Sequence, residues 1–199
     1  DGQLIKFSGT AWTFAADDTG SGSATSYWTK TVDILATDDF WGLTRGNGQN
    51  ALLGANAKTH VNLGAACTTG TSGVNDAYAT VSGGVLNHAG NRATCGGGAM
   101  NDASGKFSTV SGGYENAVSS IYGSSAGGYG NTVGQSEADT AAMVAGGYEN
   151  SALRKFSTVA GGYNNTADSA GSSVLGGIHN TASGKYYFLG GGGSIVEEE

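Results

Sequence analysis

A glycine pair recurs along most of this chain with a near-constant period, and no other feature limits the fold so strongly. Aligned on the second glycine of each pair, the positions are Gly84, Gly98, Gly113, Gly128, Gly147, Gly162, Gly177 and Gly192, separated by 14, 15, 15, 19, 15, 15 and 15 residues. Three residues after all but the last stands an asparagine: Asn87, Asn101, Asn116, Asn131, Asn150, Asn165 and Asn180. Two columns that share one period signal a solenoid, whose unit is too small to fold alone and stacks on its neighbours. The unit is clearest in Phe107-Ser-Thr-Val-Ser-Gly-Gly-Tyr-Glu-Asn116 and Phe156-Ser-Thr-Val-Ala-Gly-Gly-Tyr-Asn-Asn165.

Two further columns supply an interior. Three residues before the reference glycine come Val81, Cys95, Val110, Ser125, Val144, Val159, Val174 and Leu189, and five after it come Ala89, Ala103, Val118, Val133, Ala152, Ala167 and Ala182. Each coil then has two short extended stretches joined by Gly and Asn corners, residues that tolerate positive φ. The fold class expected is all-β: a parallel β-roll or β-helix of about 15 residues per coil over residues 51–193. At about 4.8 Å per step, roughly eight coils make a rod near 40 Å long. The 19-residue interval holds four extra residues, and Gln135-Ser-Glu-Ala-Asp139 is expected to form a loop pushed out of the regular coil.

Residues 1–50 lose the period. Leu4–Phe7, Ser8-Gly9-Thr10 and Ala11–Phe14 predict a β-hairpin, Asp17–Ser23 a linker, and Trp28, Phe40 and Trp41 a small cap or docking module. Val61-Asn62-Leu63-Gly64 and Leu52-Leu53-Gly54 resemble degenerate coils, as terminal repeats often are. Residues 194–199 are expected to be an acidic tail.

Composition narrows the function. With 37 Gly and no Pro in 199 residues, the chain would read as flexible linker were the glycines not periodic. A net charge of −7 with only nine scattered Lys and Arg excludes nucleic acid as a partner. No apolar run is long enough to span a bilayer, and Asp1-Gly2-Gln3 is not an export signal, so any export route is expected to lie outside this chain. Cys67 and Cys95 permit a disulfide without requiring one.

The pattern Asn-x-Ala-Ser-Gly, then Ser-Thr-Val-x-Gly-Gly-Tyr-x-Asn, with Asn180-Thr-Ala-Ser-Gly184 its clearest copy of the first part, resembles the head repeats of YadA-type trimeric autotransporter adhesins and similar repeats in phage tail fibres. The resemblance covers about residues 51–193. It implies a left-handed parallel β-roll, three chains side by side, projecting from a surface to bind matrix or host-cell partners. The 15-residue unit with its Gly-Gly pair departs from that family, and the sequence carries no coiled-coil heptads or membrane anchor.

No catalytic arrangement stands out. His60, His88 and His179 share no spacing with a Ser, Asp or Cys partner, and structural or surface roles are expected for them. Asp17-Asp18 and Asp38-Asp39 lack the spaced acidic loop of a calcium site, and the glycine turns lack the Lys-Ser/Thr of a phosphate loop. No metal or cofactor is expected. The column Thr80, Thr94, Thr109, Ser124, Met143, Thr158, Ser173 and Phe188 suggests an ice-binding face, but Met143 and Phe188 interrupt it.

The candidate binding or interface surface is the column after the glycine pair: Tyr114, Tyr129, Tyr148 and Tyr163, followed by Ile178. A second aromatic column, Tyr78, Phe107, Tyr122, Phe156 and Tyr186, precedes the strand. Both suit packing along the rod or between chains, and the first also suits a protein or glycan ligand. The reading is a non-catalytic trimeric fibre or adhesin head at a cell or virion surface. Its partners are copies of itself and a host-cell or matrix protein or glycan. A structural subunit of an extracellular filament is the alternative. A hexapeptide acyltransferase is disfavoured, since its six-residue aliphatic period is absent.

Overall fold

The computed structural model describes residues 5–7, 12–14, 43–44, 50–53 and 59–197. The chain divides into two units, Asp1–Lys30 and Thr31–Glu199. In the first, strands Ile5–Phe7 and Trp12–Phe14 pair antiparallel, with Ile5 opposite Phe14 and Phe7 opposite Trp12, so the expected hairpin is present. The linker Asp17–Ser23, the cap residues Trp28, Phe40 and Trp41, and both acidic pairs lie outside the described residues.

The second unit is a parallel β-solenoid of about nine turns. Its strands are two residues long and alternate along the chain between two ten-stranded sheets. The first sheet stacks Leu43–Thr44, Val61–Asn62, Thr80–Val81, Thr94–Cys95, Thr109–Val110, Ser124–Ser125, Met143–Val144, Thr158–Val159, Ser173–Val174 and Phe188–Leu189. The second stacks Ala51–Leu52, Thr68–Thr69, His88–Ala89, Asp102–Ala103, Ala117–Val118, Thr132–Val133, Ser151–Ala152, Thr166–Ala167, Thr181–Ala182 and Val196–Glu197. A third line of parallel bridges runs through Ala65, Val85, Ala99, Tyr114, Tyr129, Tyr148, Tyr163, Ile178 and Gly193. Nine steps between ten rungs give a rod about 43 Å long.

A two-residue strand offers one side chain to each face, because successive side chains alternate. The second residue of each pair is the buried one: Val81, Val110, Val118, Val144, Val159 and Val174 have no accessible surface. Both expected interior columns form one continuous cluster with the alanines at Ala89, Ala103, Ala152, Ala167 and Ala182. A third small column, Ala79, Ala93, Ser108, Ser157 and Ser172, is also buried.

The corners correct one expectation. The asparagines of the repeat column do not adopt positive φ; the residue before each one does, Leu86, Met100, Glu115, Gly130, Glu149, Asn164 and His179 having φ between 51° and 62°. The opposite corner repeats this at Tyr78, Arg92, Phe107, Tyr122, Ala141, Phe156, Gly171 and Tyr186, at 55° to 71°. A left-handed residue with a side chain costs about 1–2 kcal/mol. The conformation turns its N–H toward the coil before it: Glu115 donates to Ala99 O at 3.1 Å and Phe107 to Asn91 O at 3.1 Å. The lateral hydrogen-bond ladder therefore continues through both corners.

The extra residues behave as a loop. Nine residues, 134–142, join Val133 to Met143, where regular coils have five, yet Ser124 still pairs with Met143 and Thr132 with Ser151. The Asp139 carboxylate pins the loop by accepting from Gln135 N at 3.1 Å and the Ser136 hydroxyl at 3.3 Å. The sheets also extend past both expected boundaries. Leu43–Thr44 pairs with Val61–Asn62 upstream of residue 51, and Val196–Glu197, within the expected tail, pairs with Thr181–Ala182.

Candidate functional site

Two ladders climb the rod with one period, one inside and one outside. The inner ladder is the asparagine column, buried throughout, with Asn116, Asn131, Asn150, Asn165 and Asn180 fully inaccessible. Each carboxamide donates within its own coil and to the next, and those of Asn101, Asn116, Asn131, Asn165 and Asn180 also donate to the asparagine before them. Asn116 Nδ2 donates to Gly112 O in its own coil at 3.1 Å, to Gly128 O in the next at 3.0 Å, and to Asn101 Oδ1 in the previous one at 3.1 Å. Its Oδ1 accepts the backbone N–H of Asn131 at 3.1 Å and that residue's Nδ2 at 2.9 Å.

The same pattern links Asn87, Asn101, Asn150, Asn165 and Asn180. At the ends other residues take the position. Cys67 Sγ accepts the N–H of Asn87 at 3.3 Å, Asn50 Oδ1 accepts that of Cys67 at 2.9 Å, and Ile195 N donates to Asn180 Oδ1 at 3.1 Å. Asn50 and Cys67 were missed as ladder members because the 14–15-residue period is already lost there: Cys67 precedes Asn87 by 20 residues.

The ladder explains the second glycine of each pair. At Gly128, φ is 92°, and a Cβ would be driven into the carbonyl oxygen of Gly147 and the side-chain amide of Asn131. Gly84 meets Gly98 and Asn87 in the same way. The coils approach each other too closely here for any side chain.

The outer ladder is the tyrosine column. Tyr114 and Tyr129 stack with ring centroids 5.4 Å apart and Tyr129 and Tyr148 at 4.6 Å, Tyr148 and Tyr163 lie tilted by 35° at 5.3 Å, and His179 meets Tyr163 edge-on at 5.1 Å. The four rings remain 37% to 42% exposed, so they cover one another without being covered by the rest of the rod. Stacking consumes the ring faces and leaves edges and hydroxyls outward. That geometry fits packing or hydrogen bonding better than the face-on stacking by which a ring holds a sugar. The negative charge of Glu115, ahead of the neighbouring Tyr148, pushes the Tyr129 phenol above its ordinary pKa.

The opposite corner carries a different surface. Phe107 and Tyr122 stack at 5.1 Å, Arg92 lies over both Tyr78 and Phe107 at 5.6 Å, Lys106 over Phe107 at 5.4 Å and Lys155 over Phe156 at 5.0 Å. Arg154 pairs with Asp168 at 3.6 Å on the adjoining coil.

The histidines and cysteines take structural places. His88 and Asp102 lie directly opposite on adjacent rungs, Nδ1 to Oδ1 at 2.8 Å, and this bond first of all raises the His88 pKa. The partnership was hidden in the sequence because 14 residues is one coil. His60 is fully buried, and desolvation lowers its pKa. Cys67 and Cys95 are both buried and free. Cys67 stands in the ladder two rungs before Asn101, the coil of Cys95; two rungs are about 9.6 Å, beyond the roughly 7 Å that a disulfide spans between Cα atoms. Burial pushes the Cys95 thiol to about 11.

Among the described residues, no group of three or more His, Cys, Asp or Glu is placed to hold a metal ion, and no helix is long and apolar enough to cross a membrane. No protein-family model matches the chain, and no curated protein matches it.

Proposed function

We propose that this chain is the rod of a homotrimeric fibre or adhesin head, a non-catalytic module displayed at a cell or virion surface. The observation that carries the reading is the regular row of exposed rings on a rod whose own interior holds little more than Val, Ala and Asn. A coil this narrow encloses little apolar area, and Val85, Leu86, Met100, Ile178 and the tyrosines all leave large apolar groups outside. Lateral association of copies would bury that surface and stabilise each rod by mass action. A trimer would also present several copies of any outward surface to a host-cell or matrix protein or glycan, raising avidity without new contacts. The Thr/Ser column gives less support to ice binding, since Met143 is 40% and Phe188 62% exposed within it.

The test is the mass of the purified chain by light scattering over a range of concentrations. A stable trimer is expected. A single-chain mass throughout would overturn the reading, and long concentration-dependent polymers would favour a head-to-tail filament subunit instead.

A further inference from the structure

One step of the rod differs from its neighbours in both ladders at once. Between Asn131 and Asn150 the chain carries the inserted loop, and the two asparagines are 19 residues apart where regular neighbours are 14 or 15. Asn150 still donates through its side chain to Gly146 O and Gly162 O, each at 2.9 Å, and its backbone N–H reaches Asn131 Oδ1 at 2.9 Å. Among the described column members after Asn87, it is the one whose carboxamide makes no bond to the asparagine before it. The others make that bond at 2.9 to 3.2 Å. On the outside, the same step holds the tightest ring pair of the tyrosine ladder. Tyr129 and Tyr148 are bridged in register, with ring centroids 4.6 Å apart and planes within 9° of parallel. Tyr114 and Tyr129 are nearly as parallel, at 10°, but 5.4 Å apart, and Tyr163 is tilted by 35° from Tyr148.

Two phenols held ring on ring, with their edges open to solvent, have the arrangement that oxidative coupling needs. A phenoxyl radical carries spin density on the ring carbons ortho to its oxygen. Two such radicals that are already neighbours join there faster than either finds a remote partner, since the encounter is intramolecular. Both rings are exposed, and rotation about Cα–Cβ and Cβ–Cγ closes the remaining gap. The Glu115 carboxylate acts on the Tyr129 phenol more strongly than any other group does, and is the base for the proton that leaves on oxidation. Tyr122, at the opposite corner, stacks instead on Phe107, which has no hydroxyl and forms no such radical.

We propose that Tyr129 and Tyr148 are a site of oxidative cross-linking, at which a peroxidase using hydrogen peroxide joins the two rings into a dityrosine within one chain. One C–C bond forms, between a ring carbon ortho to the hydroxyl on each tyrosine, and one C–H bond breaks on each ring. The two rings together give up two electrons and two protons, which reduce one hydrogen peroxide to two waters. Both hydroxyls remain. The link closes the coil that carries the inserted loop, at the step where the inner ladder is one hydrogen bond short. A cross-link acts chiefly by removing conformations from the unfolded chain, so this one stabilises the rod where its own ladder is weakest. It forms inside one chain and does not depend on how many rods assemble.

The test treats the full-length protein with a haem peroxidase and hydrogen peroxide, at a dilution where chains rarely meet. The product should show the blue fluorescence of dityrosine and run as a single chain on a denaturing gel. Cleavage after glutamate should release Asn116–Glu137 and Ala138–Glu149 as one joined species, lighter by two hydrogens than the two peptides together once oxidation of Met143 is counted. Tyr148→Phe keeps a ring in the stack without a phenol, and should abolish the joined species. Tyr122→Phe removes the other tyrosine of the first peptide, and should leave the joined species at its wild-type yield. Far-ultraviolet circular dichroism checks that both variants keep the fold. The urea midpoint of the linked chain should rise by about 1 M. No dityrosine, dityrosine found only between chains, or a joined species lost with Tyr122→Phe would overturn the assignment of the pair. An unchanged midpoint in the linked chain would overturn the stapling of the coil.

Discussion

The asparagine and tyrosine ladders share a coil and a period but tolerate change very differently. Inside, asparagine holds its place in seven successive coils, and only the flanking rungs substitute Cys67 and Ile195. Outside, the column drifts from Val85 and Ala99 through four tyrosines to Ile178 and Gly193. The difference follows from where each side chain finds its partners. A buried group stacked on a copy of itself must donate and accept at once, and a short carboxamide does both. Aspartate lacks the donor, and glutamine is a methylene too long for the gap between the Gly carbonyls. An exposed group has water as its alternative partner, so rings, aliphatics and glycine all serve.

The largest break in that contrast should come from Asn131→Ala. It strands the Asn150 N–H in the buried interior and takes the donor from the part-buried Gly127 O, while Gly147 O keeps the Tyr129 N–H, and is expected to lower stability by on the order of 4 kcal/mol. Denaturant midpoints at fixed protein concentration measure it; a loss under about 1 kcal/mol would mean that the ladder is incidental. Gly128→Ala comes next, at about 3 kcal/mol, from left-handed strain added to the collision with the next coil. On the outside, Tyr148→Ala removes two ring contacts and should cost only about 1 kcal/mol in a single rod. A cost equal to that of Asn131→Ala would erase the distinction between the ladders.

The smallest effect is a pH dependence in which two histidines oppose each other. The raised pKa of His88 stabilises the fold fully below its unfolded value of about 6.5, and this contribution fades as pH rises through the folded value. The lowered pKa of His60 works the other way: its contribution is present above about 6.5 and is lost as pH falls toward the folded value. Asp102→Asn removes the first and keeps the second. Its stability should therefore fall increasingly behind that of wild type between pH 7.5 and about 5; a gap independent of pH would contradict this assignment.

How much of this was legible in the sequence depended on whether a column repeated. The Val and Ala columns declared the interior because burial imposes the same size at every coil. The asparagines declared a role but suggested the wrong cause: a turn residue free to adopt positive φ looks, in one dimension, like a buried donor and acceptor. The residues that do take positive φ, Leu86, Met100, Phe107 and Phe156 among them, were invisible, since nothing about a bulky side chain advertises that conformation. Their corners are imposed by the stacked coils. The His88–Asp102 pair was hidden for a related reason: it joins residues that only coiling brings side by side.

Amide hydrogen exchange along the rod tests most directly the claim that the buried ladder holds the fold together. The backbone N–H groups of Asn101, Asn116, Asn131, Asn150, Asn165 and Asn180, each bonded to the side chain of the preceding ladder residue, should be among the slowest to exchange, and in Asn131→Ala the Asn150 amide should lose protection first. Exchange at those amides as fast as at the corner residues, with no change at Asn150 in the variant, would contradict it.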